Sequence, residues 1–202
     1  LRRSRGLGDV YKRQVKEFAP EKGNALEIAS GTGQHIVKLA AAKPNLDWQP
    51  SEIDQLRIAS IEAWCKKDNF ANVRPPIILD ATEIGWSSKL NCQKFILLVN
   101  LFHLISEEEA QILISDMSSA LSPRGRSIIY GPFKRNGKLT SAGDETFHQN
   151  LIEADPQIGY KNDVWMTAQL KKAKLELLKV ATMPANNLAF IFEKPQTYQR
   201  CD

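Results

Sequence analysis

The sequence has few cysteines and histidines and no long hydrophobic run. Among its 202 residues are 3 cysteines and 3 histidines. Cys65, Cys92 and Cys201 lack the spacing of a metal site, so we expect no metal and a reducing, cytoplasmic environment. The longest apolar stretch, residues 95–105, is broken by polar side chains and is too short to span a membrane. We therefore expect no membrane partner.

The positive charge is confined to the start of the chain. The net charge is +4, from 27 basic and 23 acidic residues, and 22 of each remain beyond residue 14. A chain whose charge is otherwise balanced is not expected to bind nucleic acid. Residues 1–14 also lack the apolar run of a signal peptide. We expect them to be a non-native or disordered leader, followed by a single domain at 15–196 and a short tail at 197–202.

Apolar runs alternate with helical patterns from residue 25 onward, which predicts a parallel sheet covered by helices. A tight turn at residues 184–187 joins the last two strands, so one of them must run antiparallel to the rest. Residues 131–143 are too polar and glycine-rich for a regular element. The expected strands are residues 25–29, 48–53, 77–79, 95–99, 127–130, 175–182 and 188–193. The expected helices are residues 34–43, 54–67, 144–154 and 163–174, with a further helix beginning at the capping box of Ser106 and Glu109.

The turn after the first strand contains Gly31 and Gly33, and glycines there let a ligand approach the backbone. Taken alone, the pair is equally consistent with a tight turn that binds nothing. Glu52 ends the second strand about 20 residues further on, where a carboxylate can accept both hydroxyls of a ribose. Glu27 lies inside the first strand, where packing explains a charge poorly. Ile36 occupies the place of the third glycine in dinucleotide enzymes, which disfavours a nicotinamide cofactor.

The sequence LEIASGTG at residues 26–33 resembles the first motif of class I S-adenosylmethionine (SAM) dependent methyltransferases, with Ala29 in place of the usual first glycine. Later landmarks of that superfamily match in order at Glu52, Asp80, Asn100 and residues 121–125. More narrowly, phrases at residues 29–35, 48–54, 72–76, 130–134 and 183–187 resemble the family related to methyltransferase-like protein 26. The resemblance covers residues 25–194.

The resemblance implies a Rossmann-like α/β fold. Its mostly parallel seven-stranded sheet would carry one antiparallel strand near an edge and helices on both faces. It also implies SAM as cofactor and methyl transfer to an unidentified small-molecule acceptor. The implied cofactor contacts are Glu27 with the ammonium, Gly31 and Gly33 with the methionine part, Glu52 with the ribose, Asp80 with the adenine amino group, and Asn100. For Asp80, a turn-forming aspartate is the alternative.

His103 and Asn100, just past the fourth strand, are the predicted catalytic residues. A histidine suits proton transfer near neutral pH. The apolar neighbours of His103 also fit a hydrogen-bonded core histidine. His35 could line the cofactor pocket or only cap a helix, and His148 in a polar helix is expected at the solvated surface.

The predicted substrate side comprises Phe133, Lys134, Asn186 and Asn187, because both segments follow strands that end near the cofactor. Basic residues of this loop, Lys134 among them, could attract an anionic substrate, or the loop could simply be flexible and solvated. The two asparagines could hold a polar acceptor, or serve a turn that needs positive φ. A second function class stays open, namely an inactive SAM-binding or ligand-binding module that acts through protein partners. A nucleic-acid methyltransferase is a weaker third option.

Overall fold

The computed structural model describes residues 12–68 and 70–196. Its helices are α1 (Lys12–Phe18), α2 (Gln34–Ala42), α3 (Gln55–Asp68), α4 (Glu107–Ala120), α5 (Ala142–Ala154) and α6 (Asp163–Lys172). Its strands are β1 (Gly23–Ile28), β2 (Leu46–Glu52), β3 (Ile77–Ile78), β4 (Gln93–Val99), β5 (Leu121–Pro132), β6 (Glu176–Thr182) and β7 (Asn187–Glu193). Short 3-10 turns occupy Trp86–Ser88 and Phe102–Leu104. Within this part of the chain, no helix is both long and apolar enough to cross a membrane.

The seven strands form one sheet in the order β3-β2-β1-β4-β5-β7-β6. The pairs among β1 to β5 are parallel, and β7 runs antiparallel to both of its neighbours, β5 and β6. The predicted fold class is therefore confirmed, including the single reversed strand. Strand order reverses beside β1, between the outward series β1-β2-β3 and the return to β4, which is where open α/β sheets bind ligands.

Alternating side chains of the central strands pack into two separate hydrophobic cores, one on each face of the sheet. On β1, Leu26 and Ile28 point to one face, which α4 and α6 cover, while Ala25 points to the other. Strand β4 divides in the same way, with Ile96 on the first face and Phe95 on the second. Helices α1, α2 and α3 cover the second face. Burial on both faces explains why these strands are continuous apolar runs in the sequence.

Several element boundaries differ by a few residues from those expected, and two differences are larger. Helix α1 begins at Lys12, so it crosses the expected boundary at residue 14, and residues 1–11 lie outside the described part, as does the tail. Strand β5 spans Leu121–Pro132, whereas the strand expected from the sequence covered only residues 127–130. Arg124, with φ 58°, lies in an irregularity where the register with β4 shifts. Side chains added at Gly125 would come within 2.7 Å of the Gln93 carbonyl oxygen, so this bulge needs glycine.

Candidate functional site

The turn between β1 and α2 is built from left-handed backbone. Ala29, Gly31 and Gly33 have φ of 54°, 58° and 84°. Alanine pays about 1 kcal/mol for this conformation and glycine none. Two hydrogen bonds fix the turn to the end of β2. Ser30 N–H donates to the Ser51 carbonyl at 2.9 Å, and Ser51 Oγ donates to the Glu27 carbonyl at 2.8 Å. The turn is therefore held open against the carboxyl end of the sheet.

The two glycines of the turn serve different purposes. A Cβ built on Gly31 would meet nothing within 4 Å, so this position faces open space. A Cβ built on Gly33 would lie 2.8 Å from Ile61 Cα, so Gly33 is needed for the close packing of α2 against α3. Of the two, only Gly31 lines the cavity described below.

The Glu52 carboxylate is held on this turn. Its Oε2 accepts from Gly31 N–H at 2.8 Å, and its Oε1 accepts from Ile53 N–H at 2.9 Å. Arg57, one turn into α3, places a guanidinium nitrogen 3.8 Å from Oε2. Although Glu52 is only 2% exposed, it lines the cavity. Oε1 also accepts a longer hydrogen bond from Asp54 N–H at 3.4 Å. Because each carboxylate oxygen has two acceptor sites, the capacity for a further donor lies mainly on Oε2.

Glu27 is a buried carboxyl with an unsatisfied oxygen. It is 2% exposed, and its Oε2 has no hydrogen-bond partner within residues 12–68 and 70–196. Burial raises the pKa of Glu27 to about 7, opposed by a hydrogen bond with Ser30 and reinforced by the nearby charge of Glu52. Glu27 does not itself line the cavity; the residues directly after it in the chain do. A buried acceptor without a partner is costly, which marks this position as more than packing.

A cavity of about 620 Å³ opens at the carboxyl ends of β1, β2, β3 and β4. Its volume lies in the range of small-molecule and cofactor pockets. Asp80 lines it beyond β3, with Oδ1 accepting from both Thr82 N–H, at 2.9 Å, and Thr82 Oγ1, at 2.6 Å. The turn-forming role considered for Asp80 is thus present, and it uses only one of the two oxygens. Asn100 lines the cavity beyond β4, with φ 57°.

Apolar side chains form part of the cavity wall and were not singled out from the sequence. Ile53, next to Glu52, and Leu104, in the second 3-10 turn, line the cavity and remain 58% and 48% exposed. Large apolar side chains that remain exposed on a cavity wall can pack against a planar ring of a ligand. Arg57 was missed as well, although its spacing from Asp54 on one helix face was a usable signal. His35 lies on the wall, and burial together with Lys38 lowers its pKa.

His103 lies away from the cavity wall. It is 7% exposed, and its ring packs against Phe147 and Tyr160 with centroids 5.7 and 6.3 Å apart. Its Nδ1 is buried, and no group in the described part of the chain forms a hydrogen bond with it. Burial and the ammonium of Lys161 lower its pKa to about 4. This environment matches the alternative of a core histidine, except that the expected hydrogen bond of Nδ1 is absent.

The four residues expected on the substrate side do not share one surface. Phe133 is 1% exposed and packs on Phe190 at 4.8 Å between ring centroids, so it belongs to the core. Asn187 is buried and donates through Nδ2 to Tyr130 Oη at 2.8 Å, which ties β7 to β5. Asn186 is exposed, and its φ of 61° confirms the turn role. Lys134 is half-buried after β5, and none of the four lines the cavity.

The expectation that His148 is solvated is wrong. It is 8% exposed, and its Nδ1 accepts from Tyr160 N–H at 3.1 Å. A Cβ on Gly159 would lie 2.8 Å from His148 Cε1, so glycine allows this close contact. The loop after α5 thus buries His148, although the neighbouring side chains on α5 are mostly polar.

Solved structures with the same architecture are methyltransferases. The mitomycin 7-O-methyltransferase MmcR is similar with a TM-score of 0.76 at 13% identity, over 91% of this chain and 52% of its own. CalO1, a methyltransferase of calicheamicin biosynthesis solved with SAH bound, has a TM-score of 0.71 at 12% identity, over 92% and 53%. An O-methyltransferase family 2 protein from Planctomyces limnophilus, in complex with apigenin, has a TM-score of 0.75 at 13% identity, over 92% and 57%.

These likenesses establish the fold, which is the Rossmann-like fold of SAM-dependent methyltransferases. The chain spans about half the length of these three proteins. Residues 4–194 match the family described as protein of unknown function (DUF938), and the chain belongs to that family.

Proposed function

We propose that this protein transfers a methyl group from SAM to a small-molecule acceptor. The observation that carries the proposal is the pairing of Glu52 with Gly31 at the mouth of the cavity. It presents an acidic acceptor and an open backbone position side by side, where strand order reverses. The fold is that of methyltransferases, among them one solved with SAH and one with apigenin.

The residues present fit SAM. A Cβ added at Gly31 would extend into open space, so the glycine leaves room for a ligand to approach the backbone closely. Glu52 retains acceptor capacity for ribose hydroxyls, and Asp80 Oδ2 can accept from an amino group. The unsatisfied Oε2 of Glu27 suits an ammonium close to the turn. Ile53 and Leu104 offer apolar contact to an adenine ring.

When bound, SAM supplies an electrophilic methyl group on a sulfonium. The protein's part is to hold donor and acceptor in line, and alignment alone can account for much of the rate. Asn100, on the cavity wall between the glycine turn and β5, is proposed to orient the acceptor. We assign no proton transfer to His103, whose ring lies off the wall. His35 is on the wall, and burial together with Lys38 lowers its pKa, which favours the neutral imidazole.

Two finer proposals accompany this one. The phrases at residues 29–35 and 183–187, with the three between them, support a relationship to the family of methyltransferase-like protein 26. The low cysteine content supports a reducing, cytoplasmic setting.

The test is calorimetric titration with SAM, followed by measurement of SAH formed in the presence of a fractionated metabolite extract. Binding together with acceptor-dependent SAH supports methyl transfer. Tight binding without turnover in any fraction would favour the inactive SAM-binding module, and absence of SAM binding would refute methyl transfer and leave only a module that binds another ligand. Glu62→Gln, an exposed carboxyl on α3, serves as a control for charge changes in the site variants.

A further inference from the structure

The segment at residues 133–138, here called the basic hairpin, is an ordered turn. Arg135 N–H donates to the Lys138 carbonyl at 2.8 Å, and Lys138 N–H donates back at 3.0 Å. Asn136 N–H donates to Asp163 Oδ1 at 2.9 Å, which anchors the tip to α6. Side chains on such a turn occupy defined positions, unlike those of the solvated loop considered from the sequence.

The charge of Arg135 is not neutralised. Its Nη2 donates to the Asn186 carbonyl at 3.3 Å, and its Nε is buried with no hydrogen-bond partner among the residues that the structure describes. A guanidinium has five N–H donors, and this is the one hydrogen bond from them within the described residues. No carboxylate of residues 12–68 or 70–196 lies within 4.0 Å of this guanidinium. The half-buried cation therefore retains its full charge and most of its donors.

Two acids that accept hydrogen bonds from this hairpin or from its neighbour Asn186 already have neutral donors as partners. Asp144 accepts from the side chains of Thr140, Ser141, Tyr160 and Asn186. These hydrogen bonds lower the pKa of Asp144 despite its partial burial. Asp163 accepts from backbone N–H groups of Asn136 and Val164. Within the described residues, neither acid forms an ion pair with the basic side chains of the hairpin, so their charge is not offset there.

The basic hairpin directly follows β5, the strand that pairs with the segment leading to Asn100. Asn100, on the cavity wall, donates through its N–H to the Tyr130 carbonyl at 2.8 Å, so β5 ends next to it. On the other side of β5, Pro132 pairs with Asn187 of β7. Arg135 contacts the residue just before it, Asn186. Two strand spacings are about 10 Å, which a small molecule can span.

We propose that Arg135 binds an anionic oxygen group of the methyl acceptor, a carboxylate or a phosphate, so that the substrate is an anionic small molecule. This inference rests on the proposed methyl transfer. Arginine binds such groups through paired, charge-assisted hydrogen bonds. The anion is held at the β5 and β7 side of the sheet edge, and the reacting atom reaches back toward Asn100.

Anion binding is tested without any turnover. The Arg135 Nε–H resonance, assigned with Arg135→Lys, is followed by NMR during titration with inorganic phosphate and, separately, with acetate at constant ionic strength. We expect a saturating shift with at least one anion, and the tighter of the two identifies the group. A response that stays linear for both anions up to about 50 mM, well above a Kd expected from charge-assisted hydrogen bonds, would overturn the proposal.

Turnover provides the second arm. The metabolite extract is divided on an anion-exchange resin, and SAH formation is measured for each fraction. We expect the acceptor among retained, anionic compounds. Arg135→Gln should lower kcat/KM about ten- to a hundred-fold, mainly through KM, with SAM affinity unchanged. Lys138→Gln, an exposed cation on the same hairpin, should stay within a few-fold.

The outcomes separate the two proposals. Acceptor activity in the unretained fraction, or an Arg135→Gln variant with unchanged KM, would refute the anion site while methyl transfer stands. Absence of SAM binding would refute the proposed function, and the NMR titration would still decide the anion site. Arg135→Lys keeps the positive charge but loses the paired N–H donors of the guanidinium, so it should give an intermediate KM. Unchanged thermal unfolding of the variants would confirm that they are folded.

Discussion

The carboxylate of Glu52 accepts a hydrogen bond from the N–H of Gly31, 21 residues earlier in the chain, at 2.8 Å. The bond joins the end of β2 to the turn after β1. It also directs both carboxylate oxygens toward backbone donors at the edge of the cavity, since Ile53 N–H binds the other oxygen. The residue proposed to bind ribose therefore also shapes the turn that holds the rest of the ligand.

Glu52→Gln should weaken SAM binding about ten- to a hundred-fold. The neutral amide keeps one acceptor for Gly31 but loses the charge-assisted hydrogen bonds to two hydroxyls, together worth about 1.5 to 3 kcal/mol. Calorimetry measures the affinity, with exposed Glu62→Gln on α3 as the matched control. Equal SAM affinity in a folded Glu52→Gln variant would remove this carboxylate from the binding site.

Gly31→Ala should impair SAM binding more than stability, whereas Gly33→Ala should mainly impair stability. The Gly31 Cβ enters open space, so the variant folds with a loss of about 1 kcal/mol from its left-handed backbone but obstructs the cofactor. The Gly33 Cβ collides with Ile61 Cα, so that variant should lose about 1 to 3 kcal/mol of stability through overpacking. Chemical denaturation and SAM titration on both variants test this. If Gly31→Ala binds SAM normally, the open space next to Gly31 is not the cofactor site.

Glu27 should make both stability and SAM affinity depend on pH. Its folded pKa of about 7 is raised above the ordinary 4.5, so its contribution is present below pH 4.5 and is lost as pH rises through 7. The loss amounts to roughly 3 kcal/mol of the free energy of unfolding. Urea denaturation across this range should show a slope that Glu27→Gln reduces.

SAM binding should respond to the same carboxyl in the opposite sense. An ammonium favours the ionised form, so affinity should rise between about pH 6 and pH 8, with protons released on binding at the lower end. Calorimetry in buffers of different ionisation enthalpy counts those protons. Identical pH profiles for wild type and Glu27→Gln would show that the ammonium lies elsewhere.

The predictable parts of the site were those coded by short-range sequence. The glycine turn, Glu52 and Asp80 each end a strand or lie in a turn, and the topology alone brings them to one edge. The residues that were misplaced depend on distant partners. Phe133 follows a strand but is buried by Phe190 of β7, and His148 is covered by a loop residue 12 positions later.

The two glycines illustrate the same limit at finer scale. Both lie in the motif, yet only contact with Ile61 on α3 distinguishes the packing role of Gly33 from the open position of Gly31. The early start of β5 likewise depends on pairing between Leu121 and Gln93, which no local pattern encodes. Sequence periodicity predicts which face is buried, but not which residue of another element buries it.

His103→Phe should separate a structural role from a catalytic one. Phenylalanine preserves the ring contacts with Phe147 and Tyr160 and removes the unsatisfied Nδ1. Because the ring does not line the cavity, SAH formation should stay within a few-fold of wild type once an acceptor is known. A large fall in kcat with unchanged SAM affinity would instead support the general-base role predicted from the sequence.

The same variant should alter acid stability. The His103 pKa is lowered to about 4 from 6.5, so the unfolded chain takes up a proton that the folded protein refuses. The free energy of unfolding should therefore decline as pH falls from about 6.5 to 4, by roughly 3 kcal/mol from this group. His103→Phe should flatten that decline, while NMR of the wild-type imidazole should show titration near pH 4. An imidazole that titrates near pH 6.5 would mean that Lys161 and burial do not act on it as the geometry requires, and the acid slope would then have to come from other groups.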